Sequence, residues 1–255
     1  MSHPVDSAQV ARHYGIDAAD LGIALVPHQL DGIDYESVLL FDKRHAGARR
    51  GVLAVPNFFG VRQQALEIAA TTIGSDFTVL VADVYGKSVR PNSPEQAIAA
   101  ITPLKQNRAE LRKRMNAALE AFRSQTAAPV AAVGACGFCF GGTAALELAR
   151  SGADLRAFAC LHGALDTPSP DDAKNIRGAV LVLHGVQDPS VPREQVNGFM
   201  DAMSAAQLDW QLMSYGQAGH SYTDPDADRP GFFYHAPTAR RASQALRNFF
   251  GEMLG

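Results

Sequence analysis

Sulfur is scarce in this chain and neither sign of charge is in clear excess. Three cysteines, Cys136, Cys139 and Cys160, stand among 255 residues. An odd number without metal-type spacing argues against both a disulfide framework and a zinc site. Basic residues number 23 and acidic residues 26, for a net charge of -3, which leaves no electrostatic footprint for nucleic acid or an anionic membrane. No apolar run approaches the roughly 18 residues of a membrane span. The start, Met1-Ser2-His3-Pro4-Val5-Asp6, lacks the basic-then-apolar order of a secretory leader. No repeat, low-complexity tract or Pro/Gly/Ser linker divides the chain. The expectation is a soluble, cytoplasmic protein, a monomer or small homo-oligomer, whose partners are small molecules rather than nucleic acid or membrane. A hydrophobic content of 47% is enough for one large core and a single domain over residues 1–255.

What the chain does have is alternation. Short apolar runs at residues 37–41, 51–56, 77–82, 130–135, 157–162, 179–184 and 209–215 are separated by helical patterns at 62–73, 94–125, 142–151, 193–206 and 238–253. That is the pattern of an α/β fold, a mostly parallel central sheet with helices on both faces. Residues 7–14 read as a short helix, and residues 21–27 as an antiparallel edge strand. Ligands of such sheets sit beyond the carboxyl ends of the strands, so the chemistry is sought in the loops there.

The most informative of these loops is Gly137-Phe138-Cys139-Phe140-Gly141-Gly142. A strand-like run enters it and a helix-like run leaves it, which makes it a nucleophile elbow with cysteine where serine is usual. The abrupt turn strains the apical residue and leaves room only for glycine two positions to either side. It also puts Cys139 at a helix N-terminus, where free amides and the positive dipole end favour a thiolate. The plainer alternative is a packed core thiol.

Two further loops supply partners. After the run 179–184, Gly185-Val186-Gln187-Asp188-Pro189 places a carboxylate at the sheet edge, making Asp188 the candidate orienting acid. After the run 209–215, Gly216-Gln217-Ala218-Gly219-His220 lets glycine swing an imidazole back over the sheet, making His220 the candidate base. The order Cys139, Asp188, His220 is the nucleophile, acid, histidine order of the α/β-hydrolase sheet. Cys136 and Cys160 lie in or beside apolar runs and read as small hydrophobes. His162 and His184 end strands and are placed to support the site loops by hydrogen bonding. Phe58, Phe59, Phe138, Phe140 and Tyr85 fall on loops that converge on Cys139, the composition of an aromatic-lined pocket. Residues 224–236, with Phe232-Phe233-Tyr234, form a candidate lid.

With these residues in hand, the chain resembles the dienelactone hydrolase family of α/β-hydrolases over nearly its whole length. The elbow carries the resemblance most specifically. Val55-Pro56-Asn57-Phe58-Phe59-Gly60-Val61, Ala82-Asp83-Val84-Tyr85-Gly86-Lys87, the segment from Leu183-His184-Gly185 to Asp188-Pro189, and the segment from Tyr215 to His220-Ser221-Tyr222 support it. The resemblance implies the α/β-hydrolase fold and hydrolysis of a small ester or lactone through a thioester, without metal or organic cofactor. It implies an oxyanion hole at the backbone N–H groups of Phe58 and Phe140, with Asn57, Phe59, Tyr85, Lys87 and Phe138 around the substrate. Two departures stand out. Asn57 occupies the position of a family glutamate proposed to take the thiol proton, so either His220 alone forms the thiolate or turnover is weak; Asn57 itself is open to reading as a residue that caps its loop or holds Cys139 in position. Of the two arginines that hold the substrate carboxylate in dienelactone-cleaving members, one position carries Lys87, a cationic anchor or equally a solvated surface lysine, and the other falls near Thr223-Asp224, so the expected substrate is not a dienelactone acid. The rival reading on the same fold is a weakly catalytic or non-catalytic protein that binds or traps acyl or electrophilic ligands. A redox pair of Cys136 and Cys139 is disfavoured, because one would lie in the sheet and the other at its tip.

Overall fold

The computed structural model describes residues 5–45 and 49–255. Residues 1–4, on which most of the expectation about a leader rests, lie outside the described residues.

The N-terminal segment is built by local signals. Asp6 caps helix α1 (Ser7–Tyr14) by accepting from the Gln9 N–H, and Gly15, at φ 82°, ends it in the left-handed conformation, as a glycine does at little cost. Strands β1 (Leu21–Leu30) and β2 (Ile33–Asp42) then form an antiparallel hairpin. Its turn residues Asp31 and Gly32 both have positive φ, the Asp-Gly signature of a two-residue hairpin. That turn makes both strands longer than the apolar runs alone predict.

From there strands and helices alternate: β3 (Arg49–Val55), α2 (Gln63–Ile73), β4 (Thr78–Val81), α3 (Pro94–Gln106), α4 (Arg108–Ser124), β5 (Val130–Phe138), α5 (Phe140–Arg150), β6 (Ala157–Leu161), β7 (Ala179–Gly185), α6 (Arg193–Ala205), β8 (Trp210–Tyr215), the short strands β9 (Asp228–Arg229) and β10 (Phe232–Phe233), and α7 (Ala236–Leu254). The single helix expected over residues 94–125 is two. Asn107 leaves the helical region and accepts from the Glu110 N–H, so its side chain starts a new helix where the first one ends.

The eight-stranded sheet has the order β1-β2-β4-β3-β5-β6-β7-β8. Every pairing from β4 through β8 is parallel, while β1 and β2 add an antiparallel edge. The chain runs outward from β3 to β4 and then returns across β3 to β5, so the order reverses between β3 and β5. At such a switch point the loops diverge to opposite faces and leave a crevice at the strand ends. The loop after β3 begins at Pro56 and the one after β5 is the elbow.

Alternation along the buried strands divides the core in two. Leu53 faces a cluster with Met115, Phe122 and Phe199, while its neighbour Val52 faces Leu66, Leu246 and Phe250. Helices α3 to α6 cover the first face; α1, α2 and α7 cover the second. Helix α5 is buried along its whole length, so the segment behind the elbow is gripped by the core. Among the described residues no helix is long and apolar enough to cross a membrane.

Candidate active site

The strand-to-helix turn at Cys139 has the backbone of an elbow. Cys139 has φ 56° and ψ -120° and caps α5, a conformation that L-residues avoid unless the surroundings impose it. Those surroundings are β5 and α5 folded back on each other. A Cβ added at Gly137 would overlap the Gly141 carbonyl, and one added at Gly141 would overlap the Val55 carbonyl. Phe138 and Phe140 are buried on either side, leaving Cys139 partly exposed at the tip.

The other two residues of the expected set meet it. His220 Nε2 lies 3.0 Å from Cys139 Sγ, and His220 Nδ1 lies 2.7 Å from Asp188 Oδ2. The second oxygen of Asp188, Oδ1, accepts from the Ser190 N–H at 2.8 Å, which fixes the carboxylate in the loop after β7. Burial works to lower the pKa of His220. The Cys139 charge and the hydrogen bonds to Asp188 and Cys139 outweigh it and hold the ring's pKa up at about 10. A cation held between two anionic partners is what such a chain stabilises. Among the described residues no group of three or more His, Cys, Asp or Glu side chains is placed to hold a metal ion.

The loop after β3 is a turn fastened from three sides. Asn57 Oδ1 accepts from the Phe59 N–H at 3.1 Å, and the Gly60 N–H donates to the Asn57 carbonyl at 2.9 Å. Tyr85 Oη donates to the Phe58 carbonyl at 2.9 Å. Asn57 Nδ2 donates to Asp224 Oδ2 at 3.3 Å. Asp224 also accepts from Gln64 Nε2 at 2.7 Å, and burial raises its pKa. The Phe58 N–H takes no part in these bonds. The Phe140 N–H belongs to the first turn of α5, whose amides lack intrahelical acceptors.

The remaining candidates divide. Tyr85 is buried with its ring 6.2 Å from that of Phe140, and Phe59 lies under the Arg62 guanidinium at 3.9 Å. Lys87 pairs with Glu36 at 2.9 Å with its side chain 58% exposed, so its charge is directed to the end of the β1–β2 hairpin. Residues 224–236 contain the β9–β10 hairpin. The His220 N–H donates to the Gly231 carbonyl at 2.7 Å and the Phe233 N–H to the His220 carbonyl at 3.0 Å. The candidate lid thus grips the histidine from both sides. Cys136 and Cys160 are fully buried free thiols, and burial alone raises the pKa of Cys136. Cys136 faces the core on the α2–α7 side of the sheet, whereas Cys139 packs against the other. A groove of about 840 Å³ between α1, α2 and α7 is lined by none of Cys139, Asp188 and His220.

Two contacts were not legible in advance. The tie between Asn57 and Asp224 joins residues 167 positions apart. His162 is expected from the sequence to support a loop, but nothing in the sequence tells that it reaches the backbone of Cys139.

Comparison with known proteins bears on the family and the fold. The family model described as "Dienelactone hydrolase family" matches residues 37–254. The solved structure of "m3DLH" is 35% identical with a TM-score of 0.86, covering 92% of this chain and 100% of its own. A dienelactone hydrolase-like promiscuous phosphotriesterase from metagenomic libraries is 33% identical at a TM-score of 0.85, with the same coverage. A Salmonella typhimurium protein named "Putative carboxymethylenebutenolidase" is 27% identical over 93% of this chain and 89% of its own. With a family match over most of its length and an α/β fold shared with solved relatives, the chain belongs to the dienelactone hydrolase family and is an ester or lactone hydrolase.

Proposed function

We propose that the protein hydrolyses small, uncharged esters or lactones through a thioester on Cys139, acting as one domain in the cytoplasm, as a monomer or small homo-oligomer. The observation that carries this reading is the 3.0 Å approach of His220 Nε2 to Cys139 Sγ, with His220 oriented in turn by Asp188. That is the arrangement a covalent nucleophile and its base require.

The thiolate of Cys139 attacks the ester carbonyl carbon, and the electron pair of the C=O bond moves to oxygen. The Phe58 and Phe140 amides stabilise that oxyanion. Collapse re-forms the carbonyl and breaks the C–O bond, while His220 gives its proton to the departing alkoxide. The imidazole, now neutral, takes a proton from water. The resulting hydroxide attacks the thioester, the acid leaves, and thiolate and imidazolium are restored. Asp188 keeps Nδ1 of the ring protonated throughout.

The preference for uncharged substrates is supported by Asp224, whose carboxylate stands beside the turn that carries Phe58 and repels a substrate carboxylate. The test is a panel of aryl esters and lactones, with and without a carboxylate, against wild type and Cys139→Ala. Turnover of neutral members by wild type alone is expected, together with a covalent acyl adduct on Cys139 visible by mass spectrometry. Activity surviving in Cys139→Ala would overturn the reading.

A further inference from the structure

We propose that His162 is a positioning residue of this reaction, a buried imidazole that ties the backbone of the nucleophile to the loop of the general base. This rests on the reading of Cys139 and His220 given above.

His162 follows β6, directly beside the elbow, and is 3% exposed. Its Nδ1 lies 3.1 Å from the backbone nitrogen of Cys139, and its Nε2 lies 2.8 Å from Thr223 Oγ1. Thr223 is three residues beyond His220. One ring therefore spans the two loops whose side chains must stay within hydrogen-bonding distance.

The partners settle the tautomer. A backbone N–H can only donate, so Nδ1 is the acceptor, the proton sits on Nε2, and Nε2–H donates to the threonine oxygen. The Cys139 N–H also donates to the Leu161 carbonyl at 3.0 Å, so it is shared between two acceptors behind the elbow. Protonation of His162 would set an Nδ1–H against that N–H and put a second cation beside His220, whose ring centroid is 5.4 Å away. Burial, reinforced by the neighbouring His220, keeps the pKa of His162 well below the ordinary value. The ring is thus a neutral brace beside His220.

The backbone gives independent support. His162 has φ 39°, in the left-handed region that a β-strand exit would not select by itself. Such strain persists only where the surroundings impose it. Here it aims the imidazole under Cys139 rather than along the sheet.

The test compares two substitutions. His162→Asn tolerates positive φ and offers an acceptor near the place of Nδ1; His162→Phe keeps a ring of similar size and offers none. With neutral aryl esters, His162→Phe is expected to lower kcat by about 10²-fold with little change in KM, the effect of a misplaced reacting pair. His162→Asn should recover most of that loss, and alkylation of Cys139 should slow in the Phe variant only. A kcat for His162→Phe within about twofold of wild type, or an equal loss in both variants, would overturn the proposal. Should His162→Phe fail to fold, Thr223→Val decides, since it removes only the Nε2 contact. A fall in kcat with KM unchanged supports the brace, and an unchanged kcat overturns it. Cys139→Ala, assayed alongside, separates the two claims. Activity in that variant defeats the cysteine mechanism, whereas an inactive Cys139→Ala with an intact His162→Phe defeats only the brace.

Discussion

Cys139 Sγ and His220 Nε2 are 3.0 Å apart although 81 positions separate them in the chain. Neither residue is free to choose that distance. Cys139 is set by an elbow that its flanking glycines alone permit, and His220 is clamped by Gly231 and Phe233 through its own backbone. A pair held from both sides pays little conformational entropy when the substrate arrives.

Removing either member should therefore remove the chemistry and leave the fold. Cys139→Ala and His220→Ala are each expected to abolish hydrolysis of neutral aryl esters, with an unchanged circular dichroism spectrum. Asp188→Asn should cost on the order of 10⁴ in kcat, the scale seen when a serine-triad histidine loses its orienting carboxylate. Residual rates near wild type in any of the three would remove that residue from the mechanism.

The three cysteines should differ sharply towards iodoacetamide. Cys136 and Cys160 are fully buried, and burial raises both thiols, that of Cys160 to about 12. Cys139 is partly exposed at a helix N-terminus with an imidazole on its sulfur. Peptide mapping after brief labelling at neutral pH is expected to show modification of Cys139 alone. Equal labelling of all three would deny it any special reactivity.

The pH profile has a definite sign. Despite burial, which works to lower it, the Cys139 and Asp188 partners raise the His220 pKa to about 10. The proton needed by the leaving group is thus retained through neutral and mildly alkaline pH and lost as pH rises through about 10. kcat/KM is expected to fall on that limb, measured between neutrality and the onset of unfolding. In Asp188→Asn one of the raising partners is gone, so the limb should move to lower pH; an unmoved limb would assign it to another group.

The strands were legible because each depends on local sequence, and so were the loops that bring Cys139, Asp188 and His220 together, since each loop carries its own local signal. Short continuous apolar runs mark strands buried on both faces, and an elbow needs its glycines within two positions of its apex. The long hairpin was only half seen, since its decisive signal is the Asp31-Gly32 turn rather than hydrophobicity. The break at Asn107 was missed because helical periodicity continues across it while a side-chain cap restarts the helix. The environment of Asn57 was illegible for a different reason. Its partner Asp224 is brought to it by the loop after β8, and Gln64 of α2 donates to that same carboxylate; no local pattern encodes such a meeting. Lys87, open to reading as a cationic anchor or as a solvated surface lysine, is exposed and paired with Glu36 of the hairpin whose length the apolar runs did not disclose.

Asn57 is the residue most open to a decisive experiment. Its amide is polarised by two neighbours, with Oδ1 receiving the Phe59 N–H and Nδ2 directed at Asp224. In Asn57→Glu the donor to Asp224 is lost and a second carboxylate is set against the first, in a place where burial already raises the Asp224 pKa. The new group offers another base for the Cys139 thiol, which favours the attack step. It also puts negative charge near both thiolate and oxyanion, and it loosens the turn that presents the Phe58 N–H. Two of these effects oppose catalysis and only one assists it, so Asn57→Glu is expected to hydrolyse neutral esters more slowly than wild type. Asp224→Asn separates the causes. It removes the facing charge, so the double variant should recover part of the loss if repulsion is responsible and none if the turn has simply come undone. A lasting gain in kcat/KM for Asn57→Glu alone would show that deprotonation of Cys139, rather than stabilisation of the oxyanion, limits the native enzyme.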